Sequence, residues 1–258
     1  FDMVMQKMDM LREAGVFFGA SITATSKSCD EVTSDEFMKM LSDKGCLWSW
    51  FFHYVPVGDS PDVSLVPNAK QRQQILKAVY NARNTLPMMT VDFWGDGPEM
   101  MGCIAGGRQY VHVNPNGDVE PCTFVHLATH NVKNCTLTEA LAAPFMKAIR
   151  DGIPYEDGNM LRPCMIVDRP DVLRKYYQEF KPYETHENAA AYLTDPKITS
   201  EIDKYSEEVK EILDEDWRNN LWMTIFPLEG EYYVDRDNFC SREKPKHKCS
   251  GHCAGCGK

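Results

Sequence analysis

Residues 47–57 read LWSWFFHYVPV, a nearly unbroken apolar and aromatic run. Side chains of a strand alternate between two faces, so such a run predicts a strand buried on both, as in a parallel sheet covered by helices. The flanking text fits that frame. Upstream, residues 16–25 (VFFGASITAT) are rich in aromatic and β-branched residues and predict another strand. Between the two, Thr33-Ser34-Asp35-Glu36 reads as a capping box that opens a helix to about Lys44, and Gly45 ends it. Downstream, Asn68 caps a helix to about Arg83, and residues 88–94 predict a third strand. Ahead of all these, Val4, Met8 and Leu11 recur near helical spacing and Gly15 stops the pattern. Strand and helix alternate throughout. The expected class is α/β with a parallel sheet, either part of a barrel or an open doubly wound sheet.

The rhythm breaks after Gly95. Gly102-Cys103 and Gly106-Gly107 mark a tight turn, residues 108–113 alternate like a strand, and Asn114-Pro115-Asn116-Gly117-Asp118 predicts a hairpin turn into residues 119–125. One helix is expected over about 137–150, a second over 171–180 and a charged, surface-lying third over 198–217. Composition sets the outer limits. The chain has 258 residues, 43% hydrophobic and 26% charged, which suffices for a proper core. No run of eighteen apolar residues occurs, so a membrane-crossing helix is not expected. A formal net charge of −10 argues against general nucleic-acid or anionic-membrane binding, because either needs a basic face. Phe1 already lies inside a helical pattern, so the native start and any targeting signal are expected upstream.

Ten cysteines are spread unevenly. Cys29, Cys46 and Cys135 sit among ordinary helix, strand and loop neighbours and read as packed free thiols. Cys103, Cys122 and Cys164 each occupy a sharp-turn context: Gly-Cys, Pro-Cys-Thr and Arg-Pro-Cys. Thiolates on turns suit an iron–sulfur cluster, since exposed backbone N–H groups there can bond its sulfur atoms. A disulfide or a zinc site is the plainer alternative. In the tail, Cys249-x3-Cys253-x2-Cys256 follows Cys240, with His247 and His252 nearby. This set can wrap one metal centre, either an iron–sulfur cluster or zinc.

Cys103, thirteen residues, Gly117, four residues and Cys122 form a spacing that resembles the opening of the SPASM or twitch extension of radical S-adenosylmethionine (SAM) enzymes. GCIAGGRQYVHVNPNGDVEPCTF is similar to that family's hairpin, and LRPCMIVDRPDVLR to the cysteine-bearing stretch after it. FDMVMQKMDMLREAGVFFGASITATSKSCDEVTSDEF resembles the middle of the family's partial (β/α)6 barrel. The family's CxxxCxxC loop, which holds the SAM-binding [4Fe–4S] cluster, is absent from residues 1–102. The reading therefore expects a C-terminal part, with the N-terminal barrel half missing from this chain. A permuted motif at Cys249, Cys253 and Cys256 is the lesser alternative, since no strand is expected ahead of it.

The resemblance implies four segments: 1–98 as the second half of the barrel, 99–180 as the SPASM- or twitch-like domain, 181–239 as a helical extension and 240–258 as the cysteine-rich tail. It implies [4Fe–4S] clusters and SAM as cofactors, with SAM contacted from the strands by Ser21, Thr23 and Tyr54. Cys103, Cys122 and Cys164 would ligate one auxiliary cluster. Cys240, Cys249, Cys253 and Cys256 would hold another, or zinc. The implied chemistry is reductive SAM cleavage and hydrogen abstraction from a peptide or small-molecule substrate by an oxidoreductase or maturase. Reduced flavodoxin or ferredoxin would donate electrons in a cytoplasmic setting. A non-catalytic iron–sulfur or zinc module for electron transfer or partner binding is the alternative. Arg108 is expected to meet a carboxylate or cap the hairpin, and His112 and His126 to be packed strand residues.

Overall fold

A computed structural model describes residues 1–219. Helix α1 (Asp2–Glu13) closes with Gly15 N–H on Arg12 O and Val16 N–H on Leu11 O, and strand β1 (Gly19–Ala24) follows. A one-turn α2 (Cys29–Val32) precedes α3 (Asp35–Asp43). The capping residue of α3 is Ser34, whose hydroxyl accepts from Phe37 N–H at 3.1 Å. Thr33 instead ends α2, donating to Cys29 O at 2.7 Å, so the expected box is displaced by one residue and Glu36 takes no part in it. Strand β2 (Trp48–His53) leads through a 3-10 turn at Val63–Leu65 to α4 (Ala69–Thr85) and β3 (Met89–Asp92). At α4 the capping box is complete, with Asn68 and Gln71 bonding each other's backbone N–H at 3.0 Å.

The three strands form one parallel sheet in the order β1-β2-β3, with Gly19 beside Trp48 and Trp48 beside Met89. One face carries Ile22, Ala24, Phe51, His53 and Asp92, all buried. The other face carries Ser21 and Thr23, both exposed, and Trp50, Phe52, Val91 and Phe93, which are half-buried. The expectation of a strand buried on both faces thus fails for β2. Its aromatic residues do occupy both faces, but helices cover only one; on the other, Trp50 stacks on Phe52 at 5.0 Å and Phe52 meets Phe93 at 5.2 Å.

Beyond β3 the elements shorten: α5 (Gly97–Met100), then β4 (His112–Val113) and β5 (Val119–Glu120), an antiparallel pair around the turn at 114–118. Gly117 holds φ +91° in that turn, a left-handed backbone that glycine adopts without strain. After β6 (Leu127–Ala128), the single helix expected over 137–150 is two, α6 (Leu137–Ala142) and α7 (Pro144–Asp151). Pro144 has no N–H to continue α6, yet its fixed φ suits the first turn of α7. Helix α8 (Pro170–Phe180), strand β7 (Tyr183–Glu184, antiparallel to β6), α9 (Ala191–Thr194) and α10 (Pro196–Arg218) complete the described residues. The charged helix expected at the surface, α10, buries Ile202, Tyr205, Val209 and Leu213 in a stripe of helical spacing, so one face belongs to the core.

Helix α4 faces two ways. Ile75, Val79 and Ala82 pack with Phe51, Met38 and Leu41 behind the sheet. Leu76 and Tyr80 pack with Leu127, Phe145, Leu173 and Val209 in a second, larger cluster. Phe51→Ala should therefore cost about 3–5 kcal/mol in urea unfolding, the range for deleting a fully buried ring. Phe52→Ala, one position away on the uncovered face, should cost less than half as much. Equal losses would mean that both faces of β2 are packed.

Candidate metal centre

Three loops bring Cys103, Cys122 and Cys164 to one cavity of about 390 Å³, walled by Trp50, Phe93 and Phe124. Cys103 follows α5, Cys122 follows β5 and Cys164 precedes α8. The loops are tied to one another through the backbone. A Cβ on Gly97 would come 1.9 Å from Met160 O, so only glycine lets α5 lie against the segment leading to Cys164. Gly106 N–H bonds Pro121 O at 2.8 Å, joining the Cys103 turn to the residue before Cys122. Arg108 donates to Cys103 O at 3.0 Å and Met100 O at 2.9 Å, and so ties the end of α5 to the Cys103 turn rather than capping the hairpin. Asp168 Oδ2 accepts from Cys164 N–H at 3.0 Å, and Asp168 is itself held by the buried guanidinium of Arg72 on α4.

The electrostatics of this cavity favour protonated thiols. Burial pushes Cys103 up to about 12, with Cys122 adding to the effect. Burial also raises Cys164 well above its usual range, reinforced by Asp168. Cys122 is raised by burial too, against the pull of Phe124 N–H, which reaches its Sγ at 3.3 Å, and of the Tyr110 hydroxyl. Three thiols raised together in an apolar cavity become thiolates only when a positively charged centre binds them all. Among the described residues no three His, Cys, Asp or Glu side chains group tightly enough to hold one metal ion. Zinc, with bonds of about 2.3 Å to sulfur, needs such a tight group. A cluster spreads its thiolates over several irons, and the three cysteines that line this cavity are the donor type it takes.

The other expected residues lie elsewhere. Ser21 and Thr23 expose their hydroxyls on the uncovered sheet face, level with Trp50 and Phe52 of β2. Tyr54 follows β2, half-buried, and its hydroxyl accepts from Asp62 N–H at 3.4 Å. None of the three lines the thiol cavity. Cys29 and Cys46 are buried behind the sheet, their thiols on Gln71 O and Trp48 O, while Cys135 is half-buried beside Asn131 O. No disulfide joins any of the described cysteines. His112 bonds the buried Glu120 at 2.6 Å, with His126 at 3.8 Å from the same carboxylate. Cys240, Cys249, Cys253 and Cys256, with His247 and His252, lie outside the described residues.

Several residues around the centre carry no sequence signal. Tyr110 lines the thiol cavity, Tyr155 and Tyr192 pack in the same core, and Arg72 reaches Asp168 across 96 positions of sequence. The 157–169 segment is also anchored to α10. Asp214 accepts from Asn159 Nδ2 at 2.7 Å, from Arg162 Nη1 at 3.1 Å and from Lys210. Burial alone would raise the Asp214 carboxyl, but Lys210, Asn159 and Arg162 hold it below its ordinary value of 3.8. A lowered carboxylate stabilises the fold above its unfolded value, and that contribution drains away as pH falls through the folded one. Asp214→Asn should therefore cost about 1–2 kcal/mol at pH 7. The difference from the parent should shrink in urea titrations taken below pH 4; a constant difference would exclude the ionised carboxylate as its source.

Residues 103–166 match the family model of the SPASM iron–sulfur cluster-binding domain. No curated protein matches the chain. Among solved structures, one described as native anSMEcpe with bound AdoMet and Cp18Cys peptide is 14% identical, with a TM-score of 0.48, over 83% of this chain and 63% of that one. Another, histidine-tagged anSMEcpe with bound AdoMet, is 14% identical with a TM-score of 0.42, over 80% and 60%. The chain thus spans about three-fifths of the length of these proteins. All three cysteines of the cavity fall within the matched segment, and by that match the chain carries a SPASM-family iron–sulfur cluster-binding domain over residues 103–166.

Proposed function

We propose that this chain is the auxiliary-cluster-bearing part of a radical SAM oxidoreductase or maturase acting on a peptide or small-molecule substrate. The observation that carries the reading is the meeting of Cys103, Cys122 and Cys164 in one apolar cavity inside the SPASM-matched segment. When bound there, a [4Fe–4S] cluster supplies one-electron chemistry, complementing the reductive SAM cleavage and hydrogen abstraction expected of the whole enzyme. The residues of this chain hold and insulate that centre. Asp168 fixes the Cys164 backbone, Arg108 fixes the Cys103 carbonyl, and Phe124 N–H bonds the Cys122 sulfur. Trp50, Phe93 and Phe124 line the cavity with aromatic rings.

The parallel β1-β2-β3 sheet, helix-covered on one face, supports reading residues 1–98 as part of a (β/α)6 barrel. On that reading Ser21, Thr23 and Tyr54 approach SAM from the uncovered side. Cys240, Cys249, Cys253 and Cys256 take a further cluster. Reduced flavodoxin or ferredoxin supplies electrons in a cytoplasmic setting. No described helix is long and apolar enough to cross a membrane.

Metal analysis after anaerobic purification and reconstitution tests this reading. The parent chain should bind iron and acid-labile sulfide, and replacing Cys103, Cys122 and Cys164 together with Ala should remove about four irons per chain. Iron and sulfide unchanged in the triple variant would overturn the assignment. Stoichiometric zinc and no reduced-cluster resonance in that variant would make the tail a zinc clip.

A further inference from the structure

The cavity that receives the thiols also runs along the uncovered face of the sheet. Trp48 and Met89, paired in register at the start of β2 and β3, line it together with Phe93, just past the end of β3. Met89 and Phe93 are four positions apart, roughly 13 Å of strand at about 3.3 Å per residue. Phe93 meets Phe124 edge-on with ring centres 6.0 Å apart, and Phe124 lies on the Cys122 loop. The cavity thus reaches from the thiol loops to the opposite end of the sheet face. At about 390 Å³ it has the size of a site for a small molecule or a side chain.

Its walls set the chemistry of an occupant. The Trp50 ring lies 6.5 Å from that of Phe93, tilted, and 6.4 Å from that of Trp48, edge-on. Tilted and edge-on arrangements of this kind are those into which a further ring packs favourably. The ionic side chains among the described lining residues are already engaged. Arg83 bonds Asp96 at 2.6 Å, Asp92 bonds His53 at 2.7 Å and Glu99 accepts from the Tyr80 hydroxyl at 2.6 Å. A charged group entering the cavity would lose water without meeting an uncommitted ion of opposite sign. One donor is not engaged. Trp50 Nε1 is shielded from solvent and has no hydrogen-bond partner among the described residues. An indole N–H can only donate, and leaving it shielded and unpaired is unfavourable. An occupant that brings an acceptor oxygen to Trp50 removes that cost.

We propose that this cavity takes an uncharged aromatic side chain of a peptide substrate, its ring against Trp50, Phe93 and Phe124 and an amide carbonyl accepting from the Trp50 indole N–H. The proposal deepens, and rests on, the reading of this chain as part of an enzyme acting on a peptide. Apolar walls by themselves suit any hydrocarbon. The ring geometry favours an aromatic group, because edge-to-face pairs gain more than the area they bury. The unpaired indole N–H calls for an acceptor, which a bare hydrocarbon lacks and a peptide carries at every residue.

The test is equilibrium dialysis of four blocked amino acids against the anaerobically reconstituted full chain, with iron and sulfide measured on each sample. The probes are the N-acetyl amides of phenylalanine, cyclohexylalanine, lysine and glutamate. The phenylalanine probe should bind about fivefold to tenfold tighter than the cyclohexylalanine probe, the size of gain that ring pairs supply. It should bind at least about a hundredfold tighter than either charged probe. Cyclohexylalanine binding as tightly as phenylalanine overturns the proposal, because apolar area alone would then account for affinity. A charged probe binding as tightly overturns it too. Trp50→Phe keeps a ring and removes the donor, so with iron and sulfide at the parent level it should bind the phenylalanine probe about fivefold more weakly. Unchanged affinity in that variant counts against the proposal. Should Trp50→Phe not fold, Phe124→Leu removes a ring from the wall nearer the thiols and should weaken the phenylalanine probe more than the cyclohexylalanine probe. Equal weakening of the two counts against the proposal. Parent iron and sulfide without binding of the phenylalanine probe overturns the proposal and leaves the cluster assignment standing. A chain without iron and sulfide defeats that assignment, and the proposal with it.

Discussion

The ion pair between Arg72 and Asp168 joins the two halves of the described structure. Arg72 belongs to the helix that backs the parallel sheet, and Asp168 to the segment that presents Cys164. Both side chains are almost wholly buried. Such a pair is retained at the expense of desolvating two charges, and losing either partner strands the other at a cost of roughly 3–5 kcal/mol. Both groups make further contacts. Arg72 also donates to Leu161 O at 3.0 Å and lies over the Trp94 ring, while Asp168 receives the Cys164 N–H. The position of the third thiol is therefore coupled to the packing of α4, and through α4 to the sheet.

A sheet region and a loop region divide the work. The βαβαβ segment supplies rigid backbone: long helices, regular register and a core behind one face. The thiols come from the region where no strand exceeds two residues and turns predominate. Loops carry reactive groups well when a scaffold fixes their ends. Here Gly97, Gly106, Arg108 and Asp168 do that fixing, mostly through backbone atoms. Backbone anchoring leaves the side chains of Cys103, Cys122 and Cys164 free to serve as ligands.

The cavity between the two regions combines apolar walls with buried thiols. An apolar surrounding penalises thiolates, as the raised thiols show. The same surrounding strengthens any hydrogen bond or metal–sulfur contact formed inside it, because little water screens the charge. A site of this kind discriminates sharply between empty and occupied states. It also gives the few polar groups at its border, Tyr110 and Phe124 N–H foremost, more leverage than they would have near solvent.

Local chemistry made much of the fold legible. The α4 capping box at Asn68 and Gln71, the strands around Ser21, Phe51 and Val91, and the hairpin turn with Gly117 all follow from interactions between residues a few positions apart. The spacing of Cys103, Gly117 and Cys122 marked the cluster-binding segment through its resemblance to a family pattern. Errors arose where a signal was degenerate or distant. Thr33 and Ser34 are both good caps, and only the extent of α2 decides between them. The aromatic run 47–57 reports that both faces of β2 prefer apolar company, without saying what supplies it. The charge on α10 concealed a buried stripe because charged residues occupy the opposite face of the same helix. The pairing of Arg72 with Asp168 had no trace in the sequence, and Cys164 was joined to the other two thiols there only through the family resemblance and its turn context. Those contacts depend on how separate segments pack, and packing is a property of the whole chain that neighbouring residues cannot encode.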